Sequence, residues 1–315
     1  MEKSTIFFFS SVFKTNKSIP QFILTNCPTE LLHRQLTMNQ YVTDTLSAIS
    51  KLEDTVYKIL TLNMKEYSQS RLDVCLWYVR VADYFEMHRE IVSISISYLD
   101  RYIQITKREI TEQNLLLSSL AAFHLAVKLH ESKKLPLDAL VKLSKGNVTS
   151  DEIEEEQGII LRALCWRLHP PTSETFLFLF MEFIPATIPS IMKFRIYTSA
   201  QYYNELSTCD SSLAQISPSM IALSSIFIVL ERMNYSEVSL RDRAKFISSI
   251  YKKAMMKIDI KGIAVVKELI KNAKKNPKIT VEKRSGTLNV FERRNWNTAG
   301  TTHAKISPNG VMSFA

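Results

Sequence analysis

The chain has 315 residues, 46% hydrophobic and 23% charged, which are the proportions of a soluble globular protein with room for two domains. Its six glycines are too few for a strand-rich fold, and neither GxGxxG nor GxxxxGK[ST] occurs, which excludes nucleotide-binding loops of those kinds. The net charge is +9, but nine cations and two anions lie from Lys271 onward, so the rest of the chain is nearly neutral. We expect this basic tail to be a solvated, disordered extension.

Helical periodicity dominates the first half of the chain. After an irregular arm of residues 1–36, apolar residues recur at helical spacing and predict six helices, at 37–62, 68–82, 91–103, 111–131, 136–146 and 150–166. The third is ambiguous, because Val92-Ser93-Ile94-Ser95-Ile96-Ser97 alternates like a half-buried strand. Read at helical spacing, the same segment has one continuous apolar face, and little nearby offers a strand partner. We therefore predict a helix there.

The second half repeats the pattern of the first. His169-Pro170-Pro171 is a firm helix boundary, and five further helices are predicted after it, at 172–183, 189–207, 218–232, 240–257 and 261–273. The segment 218–232 has small residues on one face and large aliphatic residues on the other, as in 111–131. This internal repeat predicts an all-α protein with domains at 37–169 and 170–273 and a basic tail at 274–315.

Cysteine and histidine patterns give no sign of a metal site. The four cysteines are far apart, without a CxxC pair, and the histidines lack an HExxH or similar spacing, so we expect no metal and no cofactor. Buried free thiols indicate a reducing compartment. No apolar run approaches the ~18 residues of a membrane span, so we expect a soluble intracellular protein that does not contact membranes.

Three charged residues interrupt the apolar faces of consecutive predicted helices: Arg71, Asp100 and Lys128. Charges are rarely buried without a partner. Three such residues in register therefore predict one internal ion pair and one cation left exposed for a partner.

Several motifs, in this order, resemble the cyclin box. Arg71 precedes Trp77 on one helix, Tyr98–Arg101 reads YLDR, and a helix of small residues ends in Lys128. In the second half, Glu205-Leu206-Ser207, Asp210 and Pro218-Ser219-Met220-Ile221-Ala222 resemble the elements that precede and open the central helix of a second box. The resemblance implies two tandem five-helix cyclin folds with an N-terminal helix, and a buried Arg71–Asp100 ion pair.

The resemblance also implies a kinase-binding surface. In cyclins, a lysine and a glutamate one helix later contact the kinase's regulatory C-helix region. Here these positions are Lys128 and Gln157, with Glu156 beside the latter, so the charge-assisted strength of a carboxylate is lost at Gln157. The apolar positions implied to flank the surface are Leu125, Leu129, Leu161, Trp166 and Leu168.

The implied function is that of a regulatory subunit, not an enzyme: it binds and activates a cyclin-dependent serine/threonine kinase in cell-cycle control, in nucleus and cytoplasm. The family's docking patch for Arg-x-Leu peptides maps onto Ser70, Asp73, Val74, Trp77 and Leu116. Asp73 replaces an aliphatic residue there and Leu116 a hydrogen-bonding one, so we expect no substrate recruitment by that route. Ser307, before Pro308 in the tail, is a candidate phosphorylation site.

Two alternatives remain open. One is a DNA-bound transcription-factor core of the same fold, which the basic tail favours. The absence of zinc-ribbon cysteine pairs and the nearly neutral body argue against a nucleic-acid partner. The other is a scaffold that binds a kinase without activating it, which the glutamine at position 157 keeps open.

Overall fold

The structure is a computed structural model and describes residues 28–57, 64–107, 110–253, 259–279 and 281, with side chains from residue 40 on except at 64–66 and 253. Contacts divide the chain into two units. The larger of these contact units comprises residues 38–282 and 304–315, and it contains both of the five-helix units. Of the other unit, residues 1–37 and 283–303, only 28–37 are described.

All regular structure within the described residues is helical, which confirms the predicted all-α fold. The described part contains one short 3₁₀ helix, Ser211–Leu213, and no strand. The α-helices in chain order are α1 Pro28–Thr55, α2 Met64–Tyr84, α3 Glu90–Thr106, α4 Glu112–His130, α5 Leu137–Leu143, α6 Ser150–Ala163, α7 Ser173–Met181, α8 Ser190–Cys209, α9 Pro218–Arg232, α10 Leu240–Lys253 and α11 Ile260–Lys275.

Helix α4 is the centre of the first five-helix unit, α2–α6. Thr111 begins it as an N-cap, with its hydroxyl accepting a bond from the Asn114 N–H at 3.2 Å. Five small side chains of this helix are all buried, which permits close packing, and α3 and α6 pack directly on it. They are Ser118, Ser119, Ala121, Ala122 and Ala126.

Helix α9 has the same central place in the second five-helix unit, α7–α11. It packs against α7, α8 and α11, and its small residues Ala222, Ser224 and Ser225 are fully buried. The predicted repeat of a five-helix unit is thus confirmed.

The ambiguous segment at 91–103 is helical, as predicted. Ile91, Ile94, Tyr98 and Tyr102 are all buried along α3. Their spacing follows one helix face. Burial of that face against α4 overrides the strand preference of isoleucine and valine.

Several predicted boundaries differ from the structure, three of them near the predicted site or the chain's flanking segments. Helix α1 begins at Pro28, inside the predicted arm, because Pro is favourable at a first helical position and the residues that follow are good helix formers. Helix α6 ends at Ala163 and not at Trp166. Helix α11 continues to Lys275, and Ile279 and Val281 beyond it are buried, so the predicted tail overlaps ordered chain at its start.

Helix α1 is bonded to the second five-helix unit. Glu53 is buried near the end of α1, and its carboxylate accepts bonds from the Ser219 N–H at 2.9 Å and the Ser219 hydroxyl at 2.6 Å. Burial raises the pKa of Glu53, which these two bonds partly oppose. Ser217 is the N-cap residue of α9, but its side chain makes no capping bond. Glu53 supplies the acceptor instead.

None of the described helices combines the length and the apolar character needed to cross a bilayer.

Candidate partner-binding surface

Helices α4 and α6 pack side by side, and together with the segment that follows α6 they carry the residues predicted to contact a partner. Their termini are well defined. Thr149 and Glu152 form a capping box at the start of α6, in which the Thr149 N–H donates to the Glu152 carboxylate at 2.7 Å and the Glu152 N–H to the Thr149 hydroxyl at 3.3 Å. This cap fixes where α6 begins and therefore which of its residues face α4.

A chain of polar side chains joins the two helices. Lys128, exposed in the last turn of α4, donates from Nζ to Oε1 of Gln157 at 3.4 Å. Gln157 is only 4% exposed, and its Nε2 lies 3.1 Å from Nδ1 of His124. The other ring nitrogen of His124, Nε2, lies 2.9 Å from the Leu135 carbonyl oxygen.

The Leu135 carbonyl determines which atom donates and which accepts in every hydrogen bond of this series of side chains. A carbonyl only accepts, so His124 carries its hydrogen on Nε2 and accepts at Nδ1. Gln157 must then donate through Nε2, which leaves its Oε1 turned toward the ammonium of Lys128. Burial, together with the nearby Lys128 charge, lowers the pKa of His124. His124 is therefore neutral at pH 7, as this pattern requires.

Glu156, the acid beside Gln157, does not supply a surface carboxylate. It is buried and accepts a bond from the Ser118 hydroxyl on α4 at 2.6 Å. The acidic run 151–156 therefore ends in a buried carboxylate. Its last member braces α6 against the central helix.

The predicted apolar contacts divide into surface and core. Trp166 is 69% exposed and Leu129 is 41% exposed, whereas Leu161 is half-buried. Leu125 and Leu168 are buried and offer little contact area of their own. Of the five positions, Trp166 and Leu129 are therefore exposed and Leu161 is partly exposed, and their role in contacting a partner stays a prediction.

A strained turn presents Trp166. Cys165 and Trp166 have φ values of 49° and 59°, in the left-handed region that side chains other than glycine disfavour. The Cys165 and Trp166 N–H groups bond back to the Arg162 and Leu161 carbonyls at 3.0 and 3.1 Å, which closes the end of α6. Such strain is often found at functional positions. Here it leaves a large indole in solvent beside the helix end.

The structure brings Arg71 and Asp100 together. Arg71 Nη2 lies 3.0 Å from Asp100 Oδ2, and Nε lies 3.2 and 3.1 Å from Oδ1 and Oδ2. The arginine side chain is 3% exposed and the aspartate 14%. Arg71 Nη1 also donates to the Thr208 carbonyl at 2.9 Å, so the pair joins α2, α3 and the end of α8. Burial alone would lower the Arg71 pKa, but the Asp100 charge holds it above its usual value.

The positions of the family's peptide-docking patch offer little open surface. Val74, Trp77 and Leu116 are buried, and Ser70 and Asp73 are half-buried. Ser307 lies outside the described residues.

Sequence reasoning missed the role of His124. Its spacing of four residues from Lys128 places both on one helix face, which is a signal that could have suggested a link. Within the described part of the chain, no group of three or more His, Cys, Asp or Glu side chains is arranged to hold a metal ion.

Two family models match the chain in tandem. The model described as "Cyclin, N-terminal domain" matches residues 41–169, and the one described as "Cyclin, C-terminal domain" matches residues 171–283. Among solved structures, a viral cyclin from herpesvirus saimiri superposes with a TM-score of 0.56 at 19% identity, covering 74% of this chain and 97% of that one. At that identity the likeness concerns the fold.

Curated relatives are cyclins of plants and mammals. Cyclin-A3-3 of Arabidopsis thaliana is 27% identical over 152 residues, which are 48% of this chain and 46% of the relative. G2/mitotic-specific cyclin C13-1 of Daucus carota is 26% identical over 60% of this chain and 56% of its own length, and Cyclin-G1 of Rattus norvegicus is 24% identical over 50% and 54%. The chain thus spans about half the length of the curated relatives that it matches. Since the two family models together match most of its residues, the chain belongs to the cyclin family.

Proposed function

We propose that this chain binds and activates a cyclin-dependent serine/threonine kinase in cell-cycle control, through the surface formed by α4, α6 and the Cys165–Trp166 turn. Cyclins are regulatory proteins and not enzymes, so the kinase supplies the chemistry. Activation follows if the surface binds only the working arrangement of the kinase's C helix, since that shifts the kinase population toward it.

The observation that carries the proposal is the directed chain, which is the series of hydrogen bonds from the Leu135 carbonyl through His124 and Gln157 to Lys128. It holds the exposed Lys128 ammonium at the end of a buried helix through one of its three N–H donors, which bonds to Gln157. An ammonium in that position bonds strongly to backbone carbonyls at the end of a partner helix. Leu129 and Trp166 add exposed apolar area of the kind that anchors interfaces.

The test measures affinity and activity separately. Purified kinase subunits without their own cyclin are titrated with the full chain, and phosphorylation of a serine/threonine peptide is followed in parallel. Charge-assisted bonds contribute about 1.5–3 kcal/mol, so Lys128→Ala should weaken binding by roughly 10- to 100-fold. Lys142→Ala, an exposed lysine in the last turn of α5, is the matched control and should bind as wild type does.

Two results would contradict the proposal. If none of the kinase subunits binds the chain, it is not a kinase partner. If Lys128→Ala and Lys142→Ala bind equally well, a kinase is bound through a different surface.

A second candidate function, binding a kinase without activating it, is supported by Gln157. Its side chain is almost fully buried and bonded to His124, so the surface offers a donor at Lys128 but no carboxylate acceptor at this position. Tight binding with no rise in peptide phosphorylation would favour this scaffold over an activator.

A further inference from the structure

Two thiols from the two five-helix units meet in the core. Cys75 Sγ on α2 lies 2.9 Å from Cys209 Sγ at the end of α8, although the two residues are 134 positions apart in sequence. Both are free cysteines, 0% and 1% exposed. The proposed kinase contact uses neither of them.

The surrounding contacts hold the two thiols in place. Arg71, one turn before Cys75, donates to the Thr208 carbonyl at 2.9 Å, directly before Cys209. The Thr208 and Ser93 hydroxyls lie 3.1 Å apart and tie the same point to α3. A disulfide bond is about 2.05 Å long, so the sulfurs need to approach by less than roughly 1 Å.

We propose that Cys75 and Cys209 are an oxidative modification site, which hydrogen peroxide converts to a disulfide joining the two five-helix units. One sulfur attacks a peroxide oxygen, breaking the O–O bond to give a sulfenic acid and one water. The second sulfur then attacks the sulfenic sulfur, forming the S–S bond and releasing a second water. Two electrons pass from the thiols to the peroxide, and both thiol protons leave in the waters.

A cavity gives the oxidant a place to approach. It has a volume of about 160 Å³ and lies between the two five-helix units, with Arg71, Asp100, Ser207 and Thr208 in its wall. A peroxide molecule is little larger than water, and a cavity of this volume has room for several molecules of that size. Its wall includes the residue that directly precedes Cys209.

The environment makes both the reaction and its reversal slow. The bond with the Cys75 thiol and burial raise the pKa of the Cys209 thiol well above its usual value, so little thiolate is present at pH 7. A buried disulfide whose leaving thiol has a high pKa also resists thiol reductants. The modification therefore records prolonged oxidation and not a brief pulse.

Exposed Cys165 is the built-in control, because peroxide reaches it directly. Wild-type full chain is treated with hydrogen peroxide, the remaining thiols are alkylated after denaturation, and digested peptides are mapped by mass spectrometry. We expect a linked Cys75–Cys209 peptide, 2 Da lighter than the two thiol peptides together. Closing so long a loop should raise the thermal midpoint by roughly 10 °C.

The peroxide treatment is repeated at a temperature just below the thermal midpoint. The proposal is overturned if Cys165 is fully oxidised under both conditions while Cys75 and Cys209 are still recovered as alkylated thiols. The peptide map of wild type decides this without any variant. Cys75→Ala and Cys209→Ala, checked for helicity by circular dichroism, should each abolish the rise in midpoint. A rise that persists in either variant also overturns the proposal.

Discussion

Replacing Asp100 by asparagine should destabilise the fold through the arginine that it leaves behind. The substitution preserves shape but removes the charge that faces Arg71 across three contacts of 3.0–3.2 Å. Breaking one side of a buried pair costs about 3–5 kcal/mol. Because the Asp100 side chain is 14% exposed, we expect the lower end of that range, about 3 kcal/mol, and a thermal midpoint lowered by roughly 6–12 °C.

Urea unfolding followed by circular dichroism measures the loss, and Asp73→Asn is the matched control. Asp73 lies on the same helix as Arg71, but its carboxylate accepts only an exposed bond from Gln69 at 3.2 Å, so its loss should cost no more than about 0.5 kcal/mol. The double variant Arg71→Met/Asp100→Leu should regain part of the stability. About 1 kcal/mol should remain lost, because the Thr208 carbonyl loses its donor.

Equal urea midpoints for Asp100→Asn and Asp73→Asn would refute this reasoning. In that case the guanidinium would be solvated well enough in the fold to need no counter-charge.

Three further predictions concern protonation. Burial raises the pKa of Glu174, which accepts a bond from the Tyr197 hydroxyl, to about 8. The stability that this buried, protonated carboxyl contributes should be fully present below pH 4.5 and fall by up to a few kcal/mol as pH rises through 8. Urea midpoints of Glu174→Gln should fall less over the same range, and parallel profiles would contradict this. Burial lowers the pKa of His130 to about 4, so the stability that the neutral His130 ring contributes above pH 6.5 should be lost as pH falls through 4. An NMR titration midpoint of His130 near 6.5 would refute this. Gln157→Glu removes the donor to His124 Nδ1 and should cost about 1–3 kcal/mol at pH 8. Most of that loss should be regained at pH 6, where the new carboxylate favours a protonated His124; equal losses in urea at both pH values would argue against the directed chain.

The helices could be predicted from sequence wherever burial follows a strict period. Helix α3 is an example, because its buried face from Ile91 to Tyr102 continues at helical spacing despite strand-favouring residues. Helix ends were less predictable, because they depend on local backbone geometry. No sequence rule foresees two successive left-handed residues, Cys165 and Trp166, without a glycine.

The surface itself was predictable only in part. The positions of Lys128 and Gln157 followed from the family resemblance, since motif order fixes which helix carries them. The link through His124, and the burial of Leu125 and Leu168, depend on how α4 and α6 are rotated against each other. A one-dimensional pattern does not specify that rotation. The meeting of Cys75 with Cys209 is likewise a product of tertiary packing.

The carboxylate of Glu53 does for α9 what a neighbouring serine or aspartate usually does, but from 166 positions upstream. The helix at the centre of the second half therefore depends on the segment that leads into the first half. Cutting the chain near Pro170 would not yield two independent modules, because the Ser219 N–H at the start of α9 would lose its acceptor in the downstream piece. A truncated variant that contains the second half should therefore also contain residues 40–57.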